Sequence, residues 1–261
     1  MEKLPYLEIA KSGYRLVYYN WQSMVRLGLI PFAVILGVAL LNAILATLVA
    51  SSAATGNAGA AAGLGFLSLL LNLVSIAAIV PFLVAWTRFT FDVAESRMPD
   101  VRLAVGKTEF VYFAWLIALG IAIGIVYAVA SVILVPLAAV GGVVLIGLVM
   151  LLVILPGVLY LSMRFAFVFP EVALERKTDP FQSWRQTGKD HIELWLLGLA
   201  VIVPMVVVGI VIGLISIALA FIPVVGVILS IALHVLAMAV YIGFLAAFTS
   251  AVSLAYKRVV G

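Results

Sequence analysis

The sequence predicts an all-α integral membrane protein: six transmembrane helices arranged as three repeated hairpins, each preceded by a cytoplasmic interfacial amphipathic helix. Three observations predict it. The 261 residues are 66% hydrophobic and 10% charged, with a mean hydropathy of +1.32, whereas a soluble domain is roughly 45–50% apolar and about 25% charged. A globule of this size has too little interior to hide that much apolar surface, so its solvent is lipid. Three long runs, Leu27–Thr87, Phe110–Met163 and Leu194–Tyr256, contain no Asp, Glu, Lys or Arg. All fifteen Lys and Arg lie outside those runs.

Each run divides into two helices. A bilayer core of about 30 Å takes roughly 20 helical residues, so a run of this length holds two crossings and a turn. The turns are marked by Pro and Gly: "SSAATGNAGAAAGLG" at 51–65, "PLAAVGG" at 136–142 and "FIPVVG" at 221–226. The spans are therefore expected near 27–50, 64–87, 111–135, 143–164, 194–219 and 225–250. Barrel strands would alternate polarity over about ten residues, and no segment does so.

Orientation follows from the cations. They cluster at the N-terminus (Lys3, Lys11, Arg15, Arg26), after span two (Arg88, Arg97, Arg102, Lys107), after span four (Arg164, Arg176, Lys177, Arg185, Lys189) and at the C-terminus (Lys257, Arg258). Short positively charged segments stay in the cytoplasm, so both termini are expected inside. The first apolar run has no small-residue cleavage site before it and reads as a retained span. The chain has no Cys, which removes disulfides and thiolate metal sites.

The segments around the spans resemble one another. "GYRLVYYNWQSMVRLG" (13–28) lies ungapped on "WRQTGKDHIELWLLG" (184–198), matching Tyr14 with Trp184, Arg15 with Arg185, Asn20 with Asp190, Trp21 with His191 and Gly28 with Gly198. "PDVRLAVGKTEFVYFAW" (99–115) follows more loosely. The segments that leave the spans, "RFTFDVAESRMPD" (88–100) and "RFAFVFPEVALERKTDP" (164–180), share Arg-Phe-x-Phe, and "VSLAYKR" (252–258) is a shorter version. The expectation is a single polytopic domain, 1–261, of three copies at approximately 1–96, 97–175 and 176–261.

Asp190, His191 and Glu193 raise the question of catalysis. On a helix Arg185, Lys189 and Glu193 are spaced by four and share a side, the pattern of a helix in the headgroup layer with Trp at its boundary. The matching Asn20 and Trp21 have no acid–base chemistry, so a shared anchoring role explains both copies. The basic, aromatic residues Arg15, Trp21, Arg97, Arg102, Lys107, Arg185, Lys189 and Trp195 are the candidate lipid contacts.

Inside the spans there is little chemistry. No charged residue is present to carry coupled protons or sodium. Ser230 and His234 lie four apart on span six, as an intramembrane serine hydrolase would need, but no Gly-x-Ser-x-Gly turn or orienting acid accompanies them; the plainer reading is an interhelical hydrogen bond. Two histidines and no Cys make no metal site, and no cofactor is expected. The net charge of +4 follows from orientation and implies no nucleic-acid binding. Gly120 with Gly124, and Gly209 with Gly213, form Gly-x-x-x-Gly pairs expected to let helices pack closely, within the chain or between subunits. Pro81, Pro156 and Pro204 bend spans two, four and five, and bent spans would line the path of a passive transporter or channel for an apolar or amphiphilic substrate.

With six spans and basic segments such as "YRLVYYNWQ" and "SWRQTGKDHIELW" in place, the chain resembles bacterial inner-membrane proteins related to the membrane domain of glycerophosphodiester phosphodiesterases. The resemblance covers the whole length at the level of architecture and brings no catalytic signature. It implies a membrane-embedded, lipid-associated role without phosphodiesterase activity. The function expected is non-enzymatic: organising anionic membrane lipids or a protein partner, including a second copy of the chain, at the cytoplasmic leaflet.

Overall fold

The computed structural model describes residues 4–99, 101–220 and 225–260, and within these leaves aside the side chains of a few residues, Ser230 among them. The described residues form helices joined by turns and short irregular segments: α1 (Tyr6–Tyr19), α2 (Trp21–Ala54), α3 (Ala58–Ala94), α4 (Lys107–Val149), a π-helical turn (Met150–Ile154), α5 (Leu155–Phe165), α6 (Val168–Ala173), α7 (Pro180–Gln186), α8 (His191–Ala220) and α9 (Val225–Val260). Among the described residues six stretches are long and apolar enough to cross a membrane: Trp21–Ala54, Ala58–Ala94, Lys107–Val132, Gly147–Ala173, His191–Leu219 and Ala232–Val260. The chain is thus a multi-pass membrane protein by length and composition.

The helices outrun the expected spans because they continue into the charged segments. At 34 residues, α2 is about 50 Å long, well beyond a bilayer core. The first turn is confined to 55–57, where the Asn57 side chain accepts from the Ala60 N–H (3.1 Å) and starts α3. In place of the second turn, α4 runs to Gly142, whose backbone (φ 67°, ψ −174°) only glycine adopts freely and interrupts the helix there. The third turn falls at 221–224, outside the described residues. Ahead of Pro156 the chain widens into the π-helical turn, since proline offers no N–H to the carbonyl four residues back and crowds it.

A helix precedes α2 (α1) and α8 (α7), but among the described residues none directly precedes α4. Residues 101–105 have no regular structure. Pro99, Val101 and Val105 disfavour a helix, and Val101 and Leu103 turn inward onto the core while Arg102 and Ala104 face out, a period of two.

Packing is concentrated at the end that carries the charges. There α2 lies on α3 and α9; α4 on α3, α5 and α6; and α8 on α9 and α5. One core joins Ile9, Phe91, Met163, Phe167, Leu197 and Tyr256; the other joins Leu27, Phe82, Trp86, Phe89, Tyr112 and Ala246. Trp86 sits fully buried between Phe82 and Phe89, and its Nε1–H donates to the Ala246 carbonyl (2.9 Å) and the Ser250 hydroxyl (2.8 Å). Away from this end the apolar side chains face outward, as Leu41, Ile44, Phe66, Leu69, Ile121, Val207 and Ile210 do. Lipid solvates such surface where water would not. Between α2 and α3 the polar link is Asn42 to Asn72 at 3.5 Å.

Candidate functional site

The basic stretch at 183–191 is built by two helices and a turn. Asp179 accepts the Phe181 N–H (2.9 Å) and Pro180 occupies the first turn, which starts α7. The Ser183 and Thr187 hydroxyls both donate to the Arg164 carbonyl (3.1 and 3.3 Å), tying α7 to the end of α5. The chain turns at 187–190 and α8 begins at His191.

This turn forms one wall of a cleft of about 770 Å³. Arg185, Gln186, Lys189 and Asp190 line it on one side, with Leu4 from the N-terminal segment and Arg258, Val259 and Val260 from the end of α9. Three cations and one carboxylate thus share its lining with three apolar side chains. Arg185 is exposed and 3.7 Å from Asp179, a pairing worth little in water.

The other candidate contacts are dispersed. Arg15 and Trp21 are exposed, on α1 and at the start of α2. Arg97 pairs with Glu95 at 2.9 Å, and Arg102 faces outward from the irregular segment. Lys107 lines a separate cleft of about 600 Å³ with Arg88, Arg176, Glu109 and Glu175, where Arg88 is paired with Glu175 at 2.9 Å. Trp195 is half-buried and donates to the Pro156 carbonyl (3.1 Å), so it joins α8 to α5.

His191 turns Nδ1 to the Gly188 carbonyl (2.9 Å) and its ring edge to Tyr160, while Asp190 belongs to the cleft. His234 is exposed on α9, and the Ser230 side chain lies outside the described residues. At the Gly-x-x-x-Gly pairs the described residues make no close approach: a Cβ placed on Gly120, Gly124, Gly209 or Gly213 would meet no atom within 4 Å. The close approaches occur instead at Gly13, where a Cβ would come 2.8 Å from the Ala247 carbonyl, and at Gly198, 3.0 Å from Leu159 and Met163. Those glycines sit where the helices are packed.

Two polar residues were not among the sequence candidates. Arg164 and Glu171 are 6% and 2% exposed, inside the fourth apolar stretch, and one side-chain atom of each, Nε and Oε2, has no hydrogen-bond partner. Their charge is visible in the sequence, but their burial is not, because α7 creates it by folding back over α5. No protein-family model, no characterised protein and no solved structure matches the chain.

Proposed function

We propose that this chain is a non-enzymatic protein of the bacterial inner membrane, both termini in the cytoplasm, that organises anionic lipid at the cytoplasmic leaflet. The observation that carries the reading is the cleft that Arg185, Lys189 and Arg258 line together with Leu4, Val259 and Val260. A phosphate headgroup suits the cations, and its glycerol and first methylenes suit the apolar side chains. The three-hairpin repeat belongs to the same reading: the first helix of each hairpin touches the second helix of its own hairpin and that of the hairpin before it, with α2 closing the circle on α9. The resemblance to the six-span phosphodiesterase membrane domains points the same way. Lipid organisation is favoured over a transport path because Phe82, Trp86, Phe89, Phe167 and Tyr256 fill the middle of the basic end.

The test is native mass spectrometry of the chain extracted with its lipid, comparing wild type with Arg185→Gln/Lys189→Gln. Each cation beside an anionic surface is worth about 1 kcal/mol, so the double variant is expected to hold phosphatidylglycerol roughly 30-fold more weakly. Unchanged retention would sink the reading.

A further inference from the structure

One face of α4 lines two hollows in succession. At the start of the helix Lys107, Thr108 and Val111 line the cleft of about 600 Å³, with Val172, Arg176 and Thr178 among the residues of its other wall. Further along, Trp115, Ala118 and Ala122 line a groove of about 190 Å³ with Phe165, Phe169 and Pro180. Positions 108, 111, 115, 118 and 122 are three or four apart and so share a side of the helix. The opposite wall makes the same step, from Val172 to Val168 one turn back on α6 and from Thr178 to Pro180. The two hollows are therefore neighbours on both walls.

Their linings differ in kind. The groove is lined by apolar side chains alone, whereas the cleft holds Arg88, Lys107 and Arg176 with Glu109 and Glu175. Both carboxylates are engaged: Glu109 accepts the Gly106 N–H (2.8 Å), and Glu175 accepts from Arg88 (2.9 Å) and the Thr108 hydroxyl (3.1 Å). Lys107 is exposed, and among the described residues no carboxylate is paired with it. Arg176 gives one N–H to the Tyr256 hydroxyl (3.1 Å), and a guanidinium carries several more. What the cleft offers an incoming group is thus positive charge and N–H donors.

The depths match a lipid. The stretch Lys107–Val132 is one of the six able to cross a membrane. From Lys107 to Ala122 the helix rises about 22 Å, and one leaflet with its headgroups is about 20–22 Å thick. An apolar cavity of about 150 Å³ already takes a benzene-sized guest, so the groove has room for several methylenes. It is open because Ala118 and Ala122 are small.

We propose that this face of α4 binds one membrane phospholipid, its phosphate at Lys107 and Arg176 and one acyl chain along Trp115, Ala118 and Ala122. A protein segment would have to repeat the same sequence of charge and hydrocarbon over the same length, which a phospholipid has by construction. The site shares no residue with the basic cleft at Arg185 and does not rest on the reading of that cleft.

The full chain is purified in non-ionic detergent, stripped of lipid and titrated with phosphatidylglycerol, with diacylglycerol as the phosphate-free control and glycerophosphoglycerol as the chain-free one. Native mass spectrometry reads the number bound. Wild type is expected to hold phosphatidylglycerol at fixed stoichiometry and both controls more weakly. Ala118→Phe places a ring where the chain would lie and should weaken one phosphatidylglycerol about tenfold or more. Its lipid-free Tm should match or exceed that of wild type, since the ring enters open space. Lys107→Gln should weaken the same lipid about fivefold, the loss of one cation beside an anionic group. Arg185→Gln/Lys189→Gln should leave this lipid in place; where the basic cleft also holds one, that second lipid alone is lost.

Equal phosphatidylglycerol binding in wild type and either single variant overturns the proposal, as does equal retention of diacylglycerol or of glycerophosphoglycerol. A broad run of bound lipids that no variant alters would mean annular lipid only, and overturns it too. If Ala118→Phe fails to fold or loses lipid-free stability, wild type decides. Phosphatidylglycerol with a diazirine on one acyl chain should label 115–122 and 165–169; label spread over the outward faces of α2 and α8 instead overturns the site.

Discussion

Tyr14 fixes α1 against the bundle through one bond, its hydroxyl donating to the Val201 carbonyl of α8 at 2.6 Å, with its ring edge-on to Phe244. Burial pushes its hydroxyl from 10.0 up to about 12. A phenol whose folded pKa is raised contributes stability that is complete below the unfolded value and is lost as pH rises through the folded one. Tyr14→Phe is therefore expected to lower stability by about 1 kcal/mol near neutral pH. The difference from wild type should shrink between pH 10 and about 12. Thermal unfolding of both proteins across that range checks it; a difference that stays constant would mean that the hydroxyl has no such role. The sequence matches Tyr14 with Trp184, but the two do unlike work, since Trp184 carries a guanidinium on its face and Tyr14 donates a proton to a carbonyl. Composition places aromatic residues near the boundary without saying what they meet there, which is why Arg164 was legible as a cation and not as a buried one.

The ends of α3 and α6 are more alike than the helices themselves. "DVAESR" (92–97) and "EVALER" (171–176) close in the same way: Arg97 N–H to the Asp92 carbonyl (2.8 Å) and Ser96 N–H to Val93 (3.1 Å), against Arg176 to Glu171 (2.9 Å) and Glu175 to Val172 (2.9 Å). This is the Schellman arrangement, which asks one residue for a left-handed backbone. Ser96 (φ 55°) and Glu175 (φ 57°) provide it although neither is glycine. Ser96→Gly is expected to raise stability by up to about 1 kcal/mol, because glycine takes that conformation without a Cβ clash; an unchanged or lower Tm would mean that the serine side chain compensates for the strain. Spans were legible because the absence of charge is a local property of 20 or so residues. The irregular stretch 101–105 was legible too, in its alternation of Val101 and Leu103 with Arg102 and Ala104, but a search for a third amphipathic helix passes over a period of two.

At the scale of the whole molecule, one end is packed like a soluble core and the rest is solvated along its length. The glycines report the difference. At Gly13 an added methyl meets the Ala247 backbone at 2.8 Å, whereas at Gly120 and Gly209 it meets nothing within 4 Å. The same substitution should then have opposite signs. Gly13→Ala must push α1 off α9, at a cost of about 1–3 kcal/mol for overpacking. Gly120→Ala and Gly209→Ala add no clash and replace the poorest helix former after proline, so they should leave the single chain as stable or up to about 1 kcal/mol more stable. Thermal unfolding of the three variants, with subunit number read from the same samples, decides between two accounts of the Gly-x-x-x-Gly pairs. A rise or no change at Gly120 and Gly209 means that these faces meet only lipid. A fall accompanied by loss of subunits would mean that they meet another copy of the chain, since only a neighbour outside the chain is there for the methyl to strike.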